Sequence, residues 1–187
     1  MVRVAGIDQS RNGFGWAIGS DEPDAIPRWG TDNLSSAGNN EGLMYHLAAK
    51  RVRQLIKDGA QKVFFEKPIK LRTDKLEGDL ITVGIPAIIL HVCYEHKVPC
   101  AWVPVDEWRS RFLGFHKPPP GIVEAKARRA WYKETAIQQC LARGWLVQDD
   151  NSAEALGILD FGLSCVSNSY RRRVGPVIRR AQLRRLL

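Results

Sequence analysis

Apolar residues fall in short runs early in the chain and in helix-spaced sets further on. MVRVAGIDQS begins with a run that is apolar on both faces, the pattern of a strand central in a sheet. FGWAIGS (14–20) and RWGTDNL (28–34) follow as short strands, punctuated by Gly13, Gly19, Pro23 and Pro27. Three strands with short connections predict an antiparallel meander. Leu43, Leu47, Val52, Leu55 and Ile56 then recur at helical spacing and predict a helix over 40–58, closed by Gly59. KVFFEKP (62–68) reads as a compact apolar strand stopped by Pro68, and IKLRTDKLEGD as a polar, basic loop. A second helix is expected over 80–96, a fifth strand at CAWVPV (100–105) and a third helix over 123–143. A last helix starts near Asn151 and runs through AEALGILDFGLSCV. The segment from Trp108 to Gly121 is dominated by the breaker HKPPPG and receives no element. The order βββ-α-β-α-β-α-α predicts an α/β fold, a mixed sheet flanked by helices.

Composition narrows the class. The chain has 187 residues, 44% hydrophobic and 26% charged, a globular balance that suggests one domain. The longest stretch without formal charge, Leu80 to Tyr94, falls short of the ~20 residues a bilayer span needs. The N-terminus lacks the layout of a signal peptide, and none of the four cysteines forms a CxxC pair. They read as reduced thiols in a cytosol-like compartment. His91, Cys93, His96 and Cys100 match no zinc spacing, and positions 91 and 93 point to different sides of a helix. The net charge of +8 favours a polyanionic partner. Seven arginines and no acid lie from Arg171 onward, leaving +1 for residues 1–170. The expected organisation is therefore a domain over 1–170 and an Arg-rich tail over 171–187.

The candidate chemistry is acidic. Two apolar strands run straight into a carboxylate, VAGID into Asp8 and VFFE into Glu66. An isolated charge at the end of a core strand is costly unless it is solvated, paired with a base or bound to a metal. A third cluster stands in QDDNSAEAL (148–156). At ~100° per residue, Asp150 and Glu154 lie about 40° apart on one helical face, whereas Asp149 and Glu154 are about 140° apart. Asp150 with Glu154 is thus the preferred metal-facing pair, and Asp149 the substitute if the helix begins later. A capping box of Asn151 and Glu154 would explain those two residues, but not the acids before them. Ala153, Ala155 and Gly157 would let this helix pack closely on a sheet. Four converging carboxylates make a hard-oxygen site suited to Mg²⁺ or Mn²⁺. A basic protein around an acidic centre fits a phosphodiester substrate.

With these motifs in order, GIDQS with Asp8, FFEKP with Glu66 and DDNSAEAL, the sequence resembles the RuvC-type Holliday-junction resolvases of the RNase H-like superfamily. The likeness is strongest to phage-type members and runs from Val4 to about Asp160. Sugar kinases and actin-like ATPases also open with a GIDxS motif, but need two such domains. The resemblance implies a five-stranded mixed sheet in the order 3-2-1-4-5, with the first three strands antiparallel and helices on both faces. It implies a homodimer, the helix over 80–96 near its interface, that cuts opposite strands of a four-way DNA junction in the cytoplasm of a bacterial or phage-infected cell. Asp8, Glu66, Asp150 and Glu154 would be the catalytic residues and the ligands of two Mg²⁺ or Mn²⁺ ions per site. Gln9, Ser10, Arg11, Lys67, Lys70, Arg72, Lys75, Lys117, Lys126, Arg128 and Arg129 are the candidate DNA contacts.

Two features depart from the family pattern. Many members end with two Asp three residues apart, whereas here Asn151 precedes Glu154 by that spacing. The loop after the strand-four Glu carries Ile69 and Leu71 where some resolvases have an aromatic wedge. Two other readings stay open: an RNase H-like nuclease acting on flaps, forks or RNA–DNA hybrids, and a non-catalytic nucleic-acid-binding module, which the Asn151 departure favours.

Overall fold

The computed structural model describes residues 1–10, 12–38, 40–68, 76–115 and 117–175, with residues 76–79 described through their backbone. Five strands form one sheet: β1 (Arg3–Gln9), β2 (Gly13–Ser20), β3 (Arg28–Asn33), β4 (Lys62–Glu66) and β5 (Cys100–Val103). Their order is β3-β2-β1-β4-β5, as the resemblance implies. β1 pairs antiparallel with β2 and parallel with β4, while β2–β3 is antiparallel and β4–β5 parallel.

Helix α1 (Glu41–Lys57) starts where the Asn40 side chain accepts from the Leu43 N–H at 2.9 Å. It is followed by Gly59, whose φ of +96° suits glycine. Helix α2 (Leu76–Glu95) begins four residues before the expected Leu80, so LEGD belongs to the helix rather than to the loop. Residues 69–75 lie outside the described residues. Helix α3 (Val105–Leu113) fills a segment to which the sequence reading gave no element. Its signature is ordinary: Asp106 and Glu107 in the first turn, Arg111 in the last, and Gly114 in the left-handed region after it. The proline run just beyond obscures it. Helix α4 spans Ala125–Ala142 and α5 spans Asp150–Val166. Asp149, not Asn151, caps α5, accepting from the Ser152 N–H at 2.8 Å.

The short helix α6 (Asn168–Arg173) crosses the expected domain limit at residue 170. Tyr170 is buried, and its hydroxyl donates to Asp160 at 3.0 Å. Arg111 and Arg143 pair with the same carboxylate at 3.0 and 3.1 Å and also donate to the Val174 and Gly175 carbonyls. The folded body therefore continues through Gly175, and the rest of the Arg-rich tail lies outside the described residues. Among the described residues no helix is long and apolar enough to cross a membrane.

The sheet separates two cores. Strand alternation sends Val4 and Phe64 toward α3, α4 and α5, and Ala5, Ile7, Val63 and Phe65 toward α1 and α2. By the same period of two, Asp8 and Glu66 follow Val4 and Phe64 onto the α5 face. α5 lies at backbone-contact distance from β1 and β2. A Cβ at Gly6 would collide with the backbone of Ala155 and Leu159, and one at Gly15 with the backbone of Asn151. Buried Ala155 keeps the helix side of that contact small.

Candidate active site

The register pairs Ile7 with Phe65 across the parallel β1–β4 ladder, which places Asp8 beside Glu66 at the strands' carboxyl ends. Neighbouring strands are ~4.8 Å apart, so the two acids are immediate neighbours. The first turns of α5 cross over them and add Asp150 and Glu154. Asp8 and Glu154 are only 6% and 8% exposed. Their charges act on one another. Burial raises the Asp8 carboxyl well above its usual range, and Glu154, Glu66 and Asp150 push it further up. Glu66 is pushed up to about 7 by burial and then by Glu154. Burial also raises Glu154, although Arg109 and Lys133 pull it back.

Protein cations and one indole partly offset this concentration of acid. The Trp108 Nε1–H, from fully buried Trp108 on α3, donates to Glu66 Oε2 at 3.1 Å. Arg109 Nη2 donates to Glu154 Oε1 at 3.1 Å, with its guanidinium 4.3 Å from the centre of the Tyr132 ring. Lys133 on α4 forms an ion pair with Asp150 Oδ2. Gln9 ties the strand ends together, its Nε2 donating to the Glu66 carbonyl at 2.6 Å.

The structure thus brings Asp8, Glu66, Asp150 and Glu154 together and turns Asp149 aside. Asp149 accepts from the Thr31 hydroxyl at 2.7 Å as well as from the Ser152 N–H, so its carboxylate is spent on the helix cap and the β3 edge. Asn151, read from sequence as a possible cap, sits inside the first turn against Gly13 and Gly15.

Trp108, Arg109 and Lys133 have no place in the sequence reading. Trp108 and Arg109 lie in the helix hidden by the proline run. Lys133 had a usable signal: it follows Lys126 and Arg129 at i, i+3 and i+7, one stripe along α4.

The four acids offer an all-oxygen donor set, the chemistry that hard divalent cations take. Asp8 has burial and three neighbouring acids acting on it, against a single opposing charge from Lys133. A bound cation would relieve that imbalance. Among the described residues no three acids form one closed coordination shell. Asp150 and Glu154 are instead engaged by Lys133 and Arg109.

No protein-family model and no curated protein matches the sequence. Solved structures do. A Thermus thermophilus RuvC structure aligns over 91% of this chain and 96% of its own, at 17% identity and a TM-score of 0.62. T. thermophilus RuvC in complex with a Holliday junction substrate aligns over 94% and 99%, at 15% identity and 0.64. The yeast mitochondrial Holliday junction resolvase Ydc2 aligns over 100% and 85%, at 15% identity and 0.53. The chain has the RuvC fold.

On this RuvC fold the candidate DNA contacts fall into distinct settings. Lys126 and Arg129 are exposed and run along α4 toward Lys133 and the acids, whereas Arg128, about 200° from Lys126, faces another way. Lys117 is exposed ahead of α4. Lys67 is exposed just past Glu66, its ammonium 5.7 Å from the ring centre of Trp102. The Ser10 hydroxyl is used locally, donating to the Gly13 carbonyl at 2.8 Å and accepting its N–H, which closes the β1–β2 turn. Arg11, Lys70, Arg72 and Lys75, with Ile69 and Leu71, lie outside the described residues.

Proposed function

We propose that this protein is a divalent-metal-dependent endonuclease that cuts four-way DNA junctions. The observation that carries the reading is the gathering of Asp8, Glu66, Asp150 and Glu154 at the carboxyl ends of β1 and β4, under the first turns of α5, on a fold shared with two Holliday junction resolvases. The junction bound to the T. thermophilus RuvC neighbour supports branched DNA as the substrate class.

Asp8, Glu66, Asp150 and Glu154 would hold two Mg²⁺ or Mn²⁺ ions, which when bound supply an activated water and a counter-charge for the leaving oxygen. The reaction is phosphodiester hydrolysis by in-line attack of water, leaving 5′-phosphate and 3′-hydroxyl ends. Trp108 and Gln9 fix Glu66 through its side chain and its backbone. Arg109 fixes Glu154. Lys126 and Arg129, with Lys67 and Lys117, hold flanking phosphates and set register rather than sequence preference.

Pairing of cuts needs two sites, and α2 supports a homodimer. Leu80, Val83, Leu90 and Tyr94 are 55%, 40%, 43% and 85% exposed. With exposed Ala87 they repeat at intervals of three and four, an apolar seam along one helix face of the kind that two helices bury against each other.

The reading is tested with end-labelled four-way junction, flap and RNA–DNA hybrid in Mg²⁺ or Mn²⁺, comparing wild type with Asp8→Asn. Junction cleavage by the wild type at least ten times faster than on the other substrates, and none by Asp8→Asn, is the expected result. Preferential cutting of flap or hybrid would replace the junction reading with the broader nuclease one. Salt-sensitive binding by both proteins with no cutting by either would leave a binding module.

A further inference from the structure

We infer that Lys133 is a built-in counter-cation of the acid cluster: its ammonium holds Asp150 when no divalent ion does, and an ion enters only as Lys133 leaves. The inference rests on the metal-site reading above.

Four acids packed into a largely buried pocket repel one another, and the two ion pairs offset that repulsion from different helices. The pairs differ in how readily they part. Arg109 is wedged between the Tyr132 ring at 4.3 Å and the Trp108 ring at 5.2 Å, and its side chain is 20% exposed. The Lys133 side chain is 51% exposed and hangs from the solvent side of α4. A lysine on a flexible four-carbon stem can swing into water without disturbing the core, whereas a stacked arginine cannot.

At the far end of the pair the Asp150 side chain is only 27% exposed. Asp150 Oδ2 is shielded from solvent, and Lys133 is its partner. Lys133 also counters Asp8, and it counters Glu154 together with Arg109. Release of Lys133 therefore frees one ligand oxygen and removes a positive charge from beside Asp150. Repulsion between the ammonium and a dication makes the two occupants mutually exclusive. By linkage, whatever Lys133 contributes to the metal-free site weakens the ion's apparent affinity, and the ion must loosen Lys133 to the same degree.

The test measures Mn²⁺ binding to the full-length, DNA-free protein by electron paramagnetic resonance of the free ion. Lys133→Gln should bind Mn²⁺ about fivefold more tightly than wild type, the upper worth of one partly exposed ion pair. Lys133→Arg, which keeps the charge, should stay within about twofold of wild type on the same scale. Lys126→Gln removes a charge two turns away on the same helix, and should gain less than Lys133→Gln. The reciprocal readout is amine acylation followed by peptide mass spectrometry. Saturating Mg²⁺ should raise labelling of Lys133 and leave Lys57 on α1 unchanged. Equal or weaker Mn²⁺ binding by Lys133→Gln, or Lys133 labelling unaffected by saturating Mg²⁺, overturns the counter-cation and leaves the metal site standing. Failure of both wild type and Lys133→Gln to bind Mn²⁺ removes the metal site itself, and the inference with it.

Discussion

Asp8 and Glu66 are placed where a fold selected for stability alone would avoid acids. Glu66 illustrates the consequence. Its ordinary value is 4.5, and burial beside Glu154 pushes it up to about 7 in the folded protein. Between those values the folded state keeps a proton that the unfolded chain has lost. Stability is therefore fully present below about pH 4.5, falls as pH rises through the window, and levels off above pH 7. Asp8 and Glu154 shift in the same direction and steepen the fall. Thermal melts in EDTA should show Tm dropping between pH 5 and 7.5. Glu66→Gln should flatten the drop, because glutamine keeps an acceptor for the Trp108 N–H without the charge. Asp8→Asn should raise the metal-free Tm at pH 8 by several degrees while abolishing cleavage, since about 1–3 kcal/mol is a usual cost for an uncompensated buried polar group. A Tm that stays flat across this window would mean that the acids are solvated, and one that rises would mean that the cations hold them below their ordinary range. These acids could be read from the sequence because each ends an apolar strand or shares a helix face. Arg109 could not, because its partner Glu154 lies 45 residues away in the chain. The basic stripe of α4 marked Lys133, but not its pairing with Asp150 17 residues on, which only tertiary packing brings about.

At the scale of elements, the contact between α5 and the sheet is the device that brings Asp150 and Glu154 over Asp8 and Glu66. It depends on glycine in the strands at least as much as on alanine in the helix. Gly6→Ala and Gly15→Ala each drive a methyl into α5 backbone, which cannot swing aside as a side chain can. Each should cost about 3 kcal/mol or more in urea unfolding, at the upper end of overpacking penalties. Gly42→Ala, exposed within α1 and close only to the Asn40 side chain at 3.4 Å, should instead gain about 0.5–1 kcal/mol from helix propensity. Equal effects at all three positions would contradict the close packing of α5. Of the small residues that announced close packing in the sequence, Ala155 meets the sheet at Gly6, while Gly157 packs on Trp108 and Phe112 of α3. Gly6 and Gly15 read there only as strand residues. Boundaries failed where two signals competed. The proline run hid α3, and Asn151 drew the start of α5 away from Asp149 because either residue makes an acceptable cap.

For the whole molecule, periodicity reached a mixed sheet flanked by helices and stopped there. The strand order 3-2-1-4-5 came from the likeness carried by three short motifs, because strand neighbours are set by long-range pairing that no local pattern encodes. The charge pattern and the α2 seam belong to this scale too. With Arg171, Arg172 and Arg173 the body through Gly175 carries +4, against +1 for residues 1–170. On the proposed reading the apolar seam of α2 lets two such bodies present their acid clusters to one DNA. The most direct measurement is the product of cutting a supercoiled plasmid that extrudes a cruciform, in Mg²⁺, by wild type and by Leu90→Glu, which puts a charge in the middle of the α2 seam. Two coordinated cuts across the junction yield linear DNA, whereas independent cuts yield nicked circles first. Wild type should give mainly linear product from the earliest times, and Leu90→Glu, monomeric by sedimentation, mainly nicked circles. An intact plasmid, or cutting by the wild type that does not depend on the cruciform, would contradict the account.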